Sequence, residues 1–282
     1  LDWLDVNKSP FYPAHSWGNH FDFSGRKVRT KAFEPIIVWT SLIGHAFLDA
    51  FELFADPRHK EISLSICDWI LGVPREETPE GICLSYVAYD QTSIHNSNML
   101  GAAVLARAGK LFGKEDLLSI SRQAMDYSCA HQRHDGSWYY AEASNCHWID
   151  NFHTGYNLDS LKCYIDVTSD LSLREQLARG LRFFKSNFFE ADGTPKYYHD
   201  KTYPVDIQCA SQAIETLANF SGSDPECLDQ ALKTATWTIE HMQAPDGHFF
   251  FQKLPLWTVK TPMLHWGQAT MYKALSKLLA RL

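Results

Sequence analysis

Residues 135–140 read Asp135-Gly136-Ser137-Trp138-Tyr139-Tyr140, an acidic residue and a glycine directly before a run of aromatics. The same order recurs at three other places: Glu80-Gly81 with Tyr86, Asp192-Gly193 with Tyr197-Tyr198, and Asp246-Gly247-His248-Phe249-Phe250-Phe251. The glycines of these four turns, Gly81, Gly136, Gly193 and Gly247, are separated by 55, 57 and 54 residues. An acidic residue followed by glycine favours a tight turn with a left-handed position. A repeat at this period predicts one supersecondary unit copied several times.

Helical periodicity fills the sequence between these turns. Leu173, Leu177 and Leu181, for example, follow a four-residue step that predicts one apolar helix face. Each copy therefore predicts two helices. The first helices are expected at 36–55, 94–112, 152–167, 206–220 and 264–281, and the second at 58–72, 115–132, 171–189 and 224–243. Strands are expected to be nearly absent, with 249–252 as a short extended piece.

The two sets of helices differ in kind. The first helices are apolar or small nearly all round, as in Ala102–Ala106, whereas the second carry one apolar stripe. Such pairs predict an all-α fold, an α/α toroid (barrel) of about five to six helical hairpins with inner and outer helix rings. The N-termini of the inner helices would open at one end, where free N–H groups and the helix dipole favour a functional site. We expect a single α/α-toroid domain over 1–282, with 1–35 as an N-terminal arm contributing to the rim.

Composition narrows the possible partners. The chain has 282 residues, of which 45% are hydrophobic and 21% are charged, and its net charge is −7. This balance argues against binding nucleic acid or an anionic lipid surface. We see no run of about 18 apolar residues, so no membrane span is expected. The sequence indicates no oligomeric state.

The termini and the cysteines suggest where the protein works. The chain starts at Leu1 and not at methionine, so we expect that an upstream leader or domain was removed. Its seven cysteines include no CxxC pair, which favours free buried thiols over a disulfide framework. A reducing compartment, and hence the cytoplasm, is the expected location.

Two of the turns resemble a known motif. Gln132-x-x-x-Gly136-x-Trp138 and Gln243-x-x-x-Gly247-x-Phe249 are similar to the QW motif of the terpenoid cyclase and protein prenyltransferase toroids. This resemblance implies the architecture, and it leaves a lipid enzyme as an alternative. The cyclase acid motif DxDD is absent. Asp206-x-x-Cys209 with His265 has the wrong spacing for the prenyltransferase zinc site, so no metal and no cofactor are expected.

A second resemblance covers nearly the whole chain. It rests on Ser16–Phe23, Pro35…Trp39-Thr40, His45–Ala50, Asp135–Tyr140, His147–Asp159 and His265–Gln268. These stretches look like toroid proteins found with bacterial polysaccharide biosynthesis genes, which implies a glycan context. Ile149-Asp150-Asn151 is locally similar to six-hairpin glycosidases, which share this architecture.

Polar residues open the predicted inner helices. Asp90, Asp150 and Asp206 precede three of them, and N-capping accounts for one carboxylate per helix. Capping does not account for the histidines, amides and aromatics beside them, so a ligand-binding rim is the competing interpretation. The expected substrate-binding set from these helix starts is His95, Asn96, Asn98, Asn157, Gln208, His265, Trp266 and Gln268.

Aromatic residues near the rim suit a sugar. Trp17, Trp138 and Trp148 lie near helix starts or turns, and flat rings pack on the apolar faces of pyranoses. Asp22 joins them from the N-terminal arm. Aromatics also form the core of a toroid, which is the competing role for each tryptophan. An oligo- or polysaccharide is therefore the expected partner.

The sequence leaves the reaction open. Glycoside-bond cleavage needs a protonated and an ionised carboxyl group. Asp150, desolvated by its aromatic neighbours, is the expected acid, and Asp90 or Asp206 is the base. A uronate epimerase or lyase would use His153 with Tyr156, or His95 with Asn96. A terpenoid or prenyl enzyme and a non-catalytic toroid that binds a glycan or a protein also fit the sequence.

Overall fold

The computed structural model describes residues 1–26 and 28–282, and most of them form paired helices. The helices in this part of the chain are α1 (Asp2–Val6), α2 (Ile37–Phe54), α3 (Pro57–Gly72), α4 (His95–Phe112), α5 (Glu115–Ala130), α6 (Asn151–Thr168), α7 (Arg174–Asn187), α8 (Ile207–Phe220), α9 (Pro225–Met242) and α10 (Thr270–Leu279). The bounds of α2 to α9 agree with the periodicity within a few residues. The short α1 is not predicted. The last helix starts as a π-helical turn, Leu264–Ala269, before α10.

Short antiparallel strands accompany the helices. They are β1 (Phe23–Ser24), β2 (Arg29–Thr30), β3 (Arg75–Thr78), β4 (Gly81–Leu84), β5 (Val205–Asp206), β6 (Gln252–Lys253) and β7 (Thr258–Val259). They pair as β1-β2, β3-β4 and β5-β6-β7. The hairpin β3-β4 was not expected. It reduces the predicted fourfold turn repeat to three copies. Gly81 follows its turn with φ 144°, so the first of the four turns is a β-hairpin and not a copy of the others.

The chain divides into two compact units. Unit 1 comprises Leu1–Gln132, Ala141–Asn145 and Ser160–Arg174, and unit 2 comprises Arg133–Tyr140, Cys146–Asp159 and Glu175–Leu282. The single domain over 1–282 and the contribution of the N-terminal arm to a rim stay predictions.

In each unit, buried helices pack against amphipathic ones. In unit 1, α2 packs on α3 and α4, and α4 packs on α5. In unit 2, α8 packs on α9 and α10. Nearly every residue of α4 and α8 is buried, whereas α5 and α9 bury only one face. This difference confirms, for these two pairs, the distinction between first and second helices that the sequence indicates. It does not extend to α2, with 8 of 18 residues buried, or to α10, which buries only Met271, Ala274 and Leu278.

The three later turns share one hydrogen-bonding pattern, and all lie in unit 2. In the turn at 133–137, Gly136 N donates to Arg133 O, and Arg133 N donates to Ser137 O, both at 2.9 Å. The same pairs recur at 190–194 and 244–248. In each turn, aspartate Oδ1 accepts the N–H two residues later: Asp135 from Ser137, Asp192 from Thr194, and Asp246 from His248. The three glycines have φ of 93°, 94° and 94°. The aspartate thus forms the turn, and the glycine supplies its left-handed position.

The segment that follows a turn is hydrogen-bonded to the start of the first helix of the preceding helix pair. Three such N–H···O bonds within single units join Ile37 to Tyr86 at 3.0 Å, Asn151 to Tyr197 at 2.9 Å, and Ile207 to Phe251 at 3.0 Å. They occupy N–H groups that the first turn of a helix leaves without intrahelical partners. Backbone atoms therefore hold these helix starts in place.

One helix in the described part of the chain is long and apolar enough to cross a membrane. It is α2, with 18 residues and a mean hydropathy of 1.3, and because it includes Asp49 and Glu52 it is not a continuous apolar run. Eight residues of α2 are buried, including Ile37, Phe47 and Leu48. Burial of this kind is typical of a core helix, and length and composition alone are weak evidence for a span.

All seven cysteines are free thiols, and six of them are buried. Burial raises the pKa of Cys67 to about 12. A buried, protonated thiol packs as a small apolar side chain.

Candidate functional site

Asp150 lies directly before α6 and organises its first turn. Its Oδ1 accepts the backbone N–H of His153 at 3.0 Å, which is N-cap geometry. Its Oδ2 accepts Trp148 Nε1–H at 2.9 Å and lies 2.7 Å from His153 Nδ1. The Asp150 side chain is 1% exposed and that of His153 is 19% exposed. Asp150 is therefore a cap, and it also orients a histidine that reaches solvent.

Aromatic rings surround His153. Tyr140 stacks on Trp148 with centroids 4.5 Å apart and an angle of 13° between the planes. The centroid of the Tyr140 ring also lies 4.5 Å from that of His153. The centroid of Phe152, the residue before His153 in α6, lies 3.9 Å from that of His153. Tyr140 N donates to Trp148 O at 2.9 Å, so backbone pairing holds the stack. The aromatic turn at 133–140 therefore forms one wall of this site.

Asp206 lies before α8 in the place that Asp150 takes before α6. Its Oδ1 accepts Gln208 N–H at 2.8 Å, and its Oδ2 accepts Gln252 Nε2–H at 2.6 Å. Burial raises the pKa of Asp206 to about 6, and the Asp150 charge acts in the same direction, while the hydrogen bonds from Gln252 and Gln208 oppose it. The charge of Asp150 is therefore one of the smaller causes of the raised pKa of Asp206, after burial.

The raised pKa of Asp206 makes stability depend on pH. Because the folded value of about 6 exceeds the ordinary 3.8, the folded state binds the proton more tightly. This contribution is fully present below pH 3.8 and is lost as the pH rises through about 6. We expect Asp206→Asn to flatten the pH dependence of the free energy of unfolding in this window, measured by urea denaturation. Asparagine keeps the N-cap.

Asp224, the N-cap of α9, provides the matched control for Asp206. The hydrogen bond from Lys185 is the first cause that lowers the pKa of Asp224. Its contribution therefore has the opposite sign and is lost as the pH falls. Asp224→Asn should leave the loss of stability between pH 3.8 and about 6 in place. An unchanged slope in Asp206→Asn would contradict the assignment.

Tyr156 and two amides continue the polar face of α6. The Tyr156 hydroxyl is hydrogen-bonded to Gln208, and burial raises the pKa of this tyrosine. Asn157 is 2% exposed, and its Oδ1 has no hydrogen-bond partner in the described structure. Asn151 is fully buried, and both polar atoms of its amide lack partners there. Buried amides of this kind call for an explanation, and a polar ligand nearby would provide one.

The last helix starts differently. His265 and Trp266 lie half-buried in the π-helical turn, with ring centroids 5.1 Å apart. Burial lowers the pKa of His265. Short π-helical segments occur frequently at functional sites. Gln268 has another role, because its amide bonds both the N–H and the carbonyl of Phe249, at 2.9 and 2.8 Å. It holds the aromatic turn at 244–251.

The expected binding residues of α4 belong to unit 1. His95 and Asn98 are buried, and every polar atom of Asn98 is used, by Leu84 N, Ala124 O and Ser128 Oγ. Asn96 is 2% exposed, and its Oδ1 lacks a partner among the described residues. Asn98 thus has a structural role.

Trp17, Trp138 and Asp22, which were also predicted to bind substrate, make contacts within the fold. Trp17 and Trp138 are 3% and 2% exposed, which places both in the core. Trp17 also donates from Nε1 to Leu4 O. Asp22 accepts the N–H of Ala32 beside the β1-β2 pair.

The interpretation of Asp90 as an N-cap was wrong. Asp90 is exposed, and α4 begins after Ile94 without a side-chain cap. The backbone pairing of Ile94 with Ala141 holds this helix start instead.

Sequence reasoning missed Tyr140 and Gln252 as site residues. Both follow aromatic turns, and Tyr140 was visible as the last aromatic of its turn. Their contacts depend on chain segments brought together by folding, since Gln252 lies 46 residues from Asp206. Among residues 1–26 and 28–282, no group of three or more His, Cys, Asp or Glu side chains could hold a metal ion.

Paired helices with buried first and amphipathic second members, joined by repeated turns, define an α/α toroid. Solved structures confirm this class. The fold is similar to that of cellobiose 2-epimerase from Bacillus thermoamylovorans B4167, with a TM-score of 0.76 and 12% identity over 100% of this chain and 81% of that one. A sugar epimerase from a ruminal bacterium has a TM-score of 0.78 and 8% identity, over 99% and 78% of the two chains. A GH76 α-mannanase from Bacteroides thetaiotaomicron has a TM-score of 0.72 and 10% identity, over 99% and 76%.

At these identities the similarity shows the fold, including the resemblance to six-hairpin toroids. No protein-family model matches the chain. No curated protein matches it by sequence either.

Proposed function

We propose that this chain is a carbohydrate-active enzyme in which His153, oriented by Asp150, transfers a proton to or from a sugar. The observation that carries this proposal is the 2.7 Å contact between His153 Nδ1 and the buried Asp150 carboxylate. The sugar epimerases and the mannanase with the same fold support a saccharide as the substrate class. Bacterial polysaccharide metabolism and a cytoplasmic location remain part of the proposal.

The geometry suits general acid–base catalysis. When Nδ1–H donates to Asp150, the lone pair of His153 lies on Nε2, which makes no hydrogen bond within the described structure. The Asp150 carboxylate then stabilises the imidazolium that forms when Nε2 takes a proton. The Tyr140 and Phe152 rings restrict water around the imidazole. The half-buried Trp148, which stacks on Tyr140, is the proposed aromatic contact for a pyranose ring.

The reaction that follows is proton transfer at carbon. His153 Nε2 takes a proton from the carbon next to the carbonyl of the open-chain sugar, and the C–H electron pair moves to the carbonyl oxygen to give an enediolate. Return of the proton to the neighbouring carbon on the same face, with a hydroxyl proton moving to the former carbonyl oxygen, gives an isomer, and on this route His153 is both base and acid. An epimer requires a proton delivered to the opposite face of the original carbon, so on that route His153 is the base and the enediolate must rotate or a second acid must donate the proton.

Asp206 supports glycoside-bond cleavage as a second candidate. Its raised pKa of about 6 suits a general acid, and Asp150, whose charge acts on it, would be the second carboxyl group. The structure favours this candidate less, because both carboxylates are occupied by N–H donors at their helix starts.

One experiment separates the candidates. The protein is incubated with glucose, mannose, cellobiose and a uronate-containing oligosaccharide in deuterated water, and the products are analysed by mass spectrometry. We expect a reducing sugar to gain one carbon-bound deuterium with the wild type and much less with Asp150→Asn. New reducing ends without deuterium at carbon would favour cleavage. Binding of a sugar without turnover would indicate a non-catalytic toroid, and absence of any effect would contradict both candidates.

A further inference from the structure

A directional chain of hydrogen bonds runs through unit 1 from Asn98. The amide oxygen of Asn98 accepts Leu84 N–H at 2.9 Å, which fixes the orientation of the amide. Its Nδ2 donates to Ala124 O at 2.7 Å and to Ser128 Oγ at 2.9 Å. Ser128 Oγ in turn lies 3.2 Å from His95 Nδ1. The buried amide thus sets the direction of the bonds that follow it.

The chain ends on a carboxylate that reaches solvent. His95 Nε2 lies 2.7 Å from Glu142 Oε1, and the side chains of the two residues are 1% and 34% exposed. Burial lowers the pKa of His95, and the hydrogen bond to Glu142 opposes that shift. We assign the neutral tautomer with its hydrogen on Nε2, since Nε2 faces a carboxylate oxygen. His95 therefore donates to Glu142, and Ser128 donates to His95.

The backbone around Glu142 is also held. Glu142 N donates to Ser93 O at 3.1 Å, and Ala141 pairs with Ile94 immediately before α4. Hydrogen bonds therefore hold both the backbone of Glu142 and one oxygen of its carboxylate. The pair is buried at His95 and half-buried at Glu142, so the buried imidazole N–H has its partner while the carboxylate still reaches solvent. Three buried groups in series that orient such a carboxylate point to a role in binding.

The charged and titratable groups that face this pair come from several elements. His131, at the end of α5, has its Nε2 3.9 Å from Glu142 Oε2. Glu76 of β3 accepts Ser93 Oγ–H at 2.6 Å and Tyr127 O–H at 2.7 Å, and its charge also acts on His95. Cys83 of β4 is buried, and burial raises the pKa of its thiol.

We propose that Glu142 is a ligand-contacting carboxylate that accepts hydrogen bonds from hydroxyl groups of a neutral sugar, and that His95 is its positioning residue. The inference rests on the proposed function only for the identity of the ligand as a sugar. Glu76 and Glu142 place two acidic groups around His95, which favours hydroxyl donors and disfavours a uronate carboxylate in unit 1. The proposal therefore selects a neutral sugar.

The test measures sugar binding and a histidine signal together. Histidine is labelled with 15N, and mannose, cellobiose and glucuronate are titrated into the full chain while NMR follows the ring N–H of His95. A ring N–H that donates to a carboxylate resonates far downfield, and we expect mannose or cellobiose to shift it. Glucuronate should leave it unchanged. Glu142→Gln should weaken binding about tenfold or more, as for loss of a hydrogen bond to a charged group.

Matched variants separate positioning from folding. Glu80→Gln makes the same chemical change at an exposed carboxylate of unit 1 and should bind normally. Ser128→Ala removes a link of the chain and leaves Glu142 present. Its sugar affinity should fall off at a higher pH than that of the wild type, because a carboxylate without its oriented donor is protonated more readily. A purely structural role would change thermal stability without moving this pH profile.

The outcomes distinguish the two proposals. If the wild type binds mannose or cellobiose and Glu142→Gln binds equally well, the inference is overturned and the proposed function stands. Stronger binding of glucuronate than of mannose also overturns the inference. If the wild type binds and converts none of these sugars, the proposed function fails, and the assignment of a sugar to Glu142 fails with it.

Discussion

Replacing His153 by glutamine is expected to lower kcat on the converted sugar by about 10²–10⁴-fold, the usual contribution of a positioned general base or acid. Glutamine retains size and polarity but cannot take up a proton at this position. The KM should change little, because Trp148 and the neighbouring rings remain in place. Steady-state kinetics on the sugar identified by deuterium incorporation checks this result. Thermal unfolding should remain close to that of the wild type, because the His153 side chain is not part of the core.

His241→Gln is the control for this change. His241 lies on the exposed face of α9, where its ring stacks on Trp237 at 4.6 Å and its Nδ1 bonds Trp237 O. The same substitution there should leave kcat unchanged. Full kcat in His153→Gln would refute the assignment of His153 as the proton-transfer group, whatever the behaviour of Asp150→Asn.

Gly136→Ala should have the largest effect on stability among variants of the three Asp-Gly turns. Gly136 has φ 93°, where a side chain is strained, and a Cβ there would lie 2.4 Å from Arg179 O of α7. The strain costs about 1–3 kcal/mol, and displacing a packed backbone adds about 1–3 kcal/mol more. We expect the free energy of unfolding to fall by roughly 3–5 kcal/mol in total. Urea denaturation measures it.

The other turn glycines form a graded series of controls. Gly193 has φ 94° and a Cβ position 2.8 Å from the Lys233 backbone, whereas Gly247 has φ 94° with nothing within 4 Å. Gly247→Ala therefore tests the strain alone, at about 1–3 kcal/mol, and Gly193→Ala should fall between the two. Equal losses at all three positions would show that close packing against the outer helices contributes nothing.

The helices could be predicted because their signals are local. The run Ala102–Ala106 is apolar on every side, which indicated a buried helix, and Asp224-Pro225 marked the start of α9. Asp90 misled because it is the acidic residue nearest to the apolar run, whereas the helix start is held by backbone pairing of Ile94 with Ala141. Backbone pairing does not depend on side-chain type, so the sequence carries no signal of it.

The candidate site was predictable only in part. Asp150 and His153 lie three residues apart, a spacing that brings side chains together, but in the sequence-based prediction His153 was paired with Tyr156 instead. The contact of His95 with Glu142 spans 47 residues, and no spacing rule connects the two. The pKa of Asp206 likewise depends on burial by folded neighbours and on the charge of Asp150.

Backbone atoms secure the starts of α2, α6 and α8, through Ile37, Asn151 and Ile207. Because main-chain groups make these bonds, the bonds do not depend on the side chains at these positions, although Ile37 and Ile207 bury their own side chains in the core. Natural selection can therefore exchange the less buried residues of the first turns, such as His153, while these backbone bonds persist. A lineage built on this chain would be able to acquire a different chemistry by a few substitutions at fixed positions, without remodelling its loops.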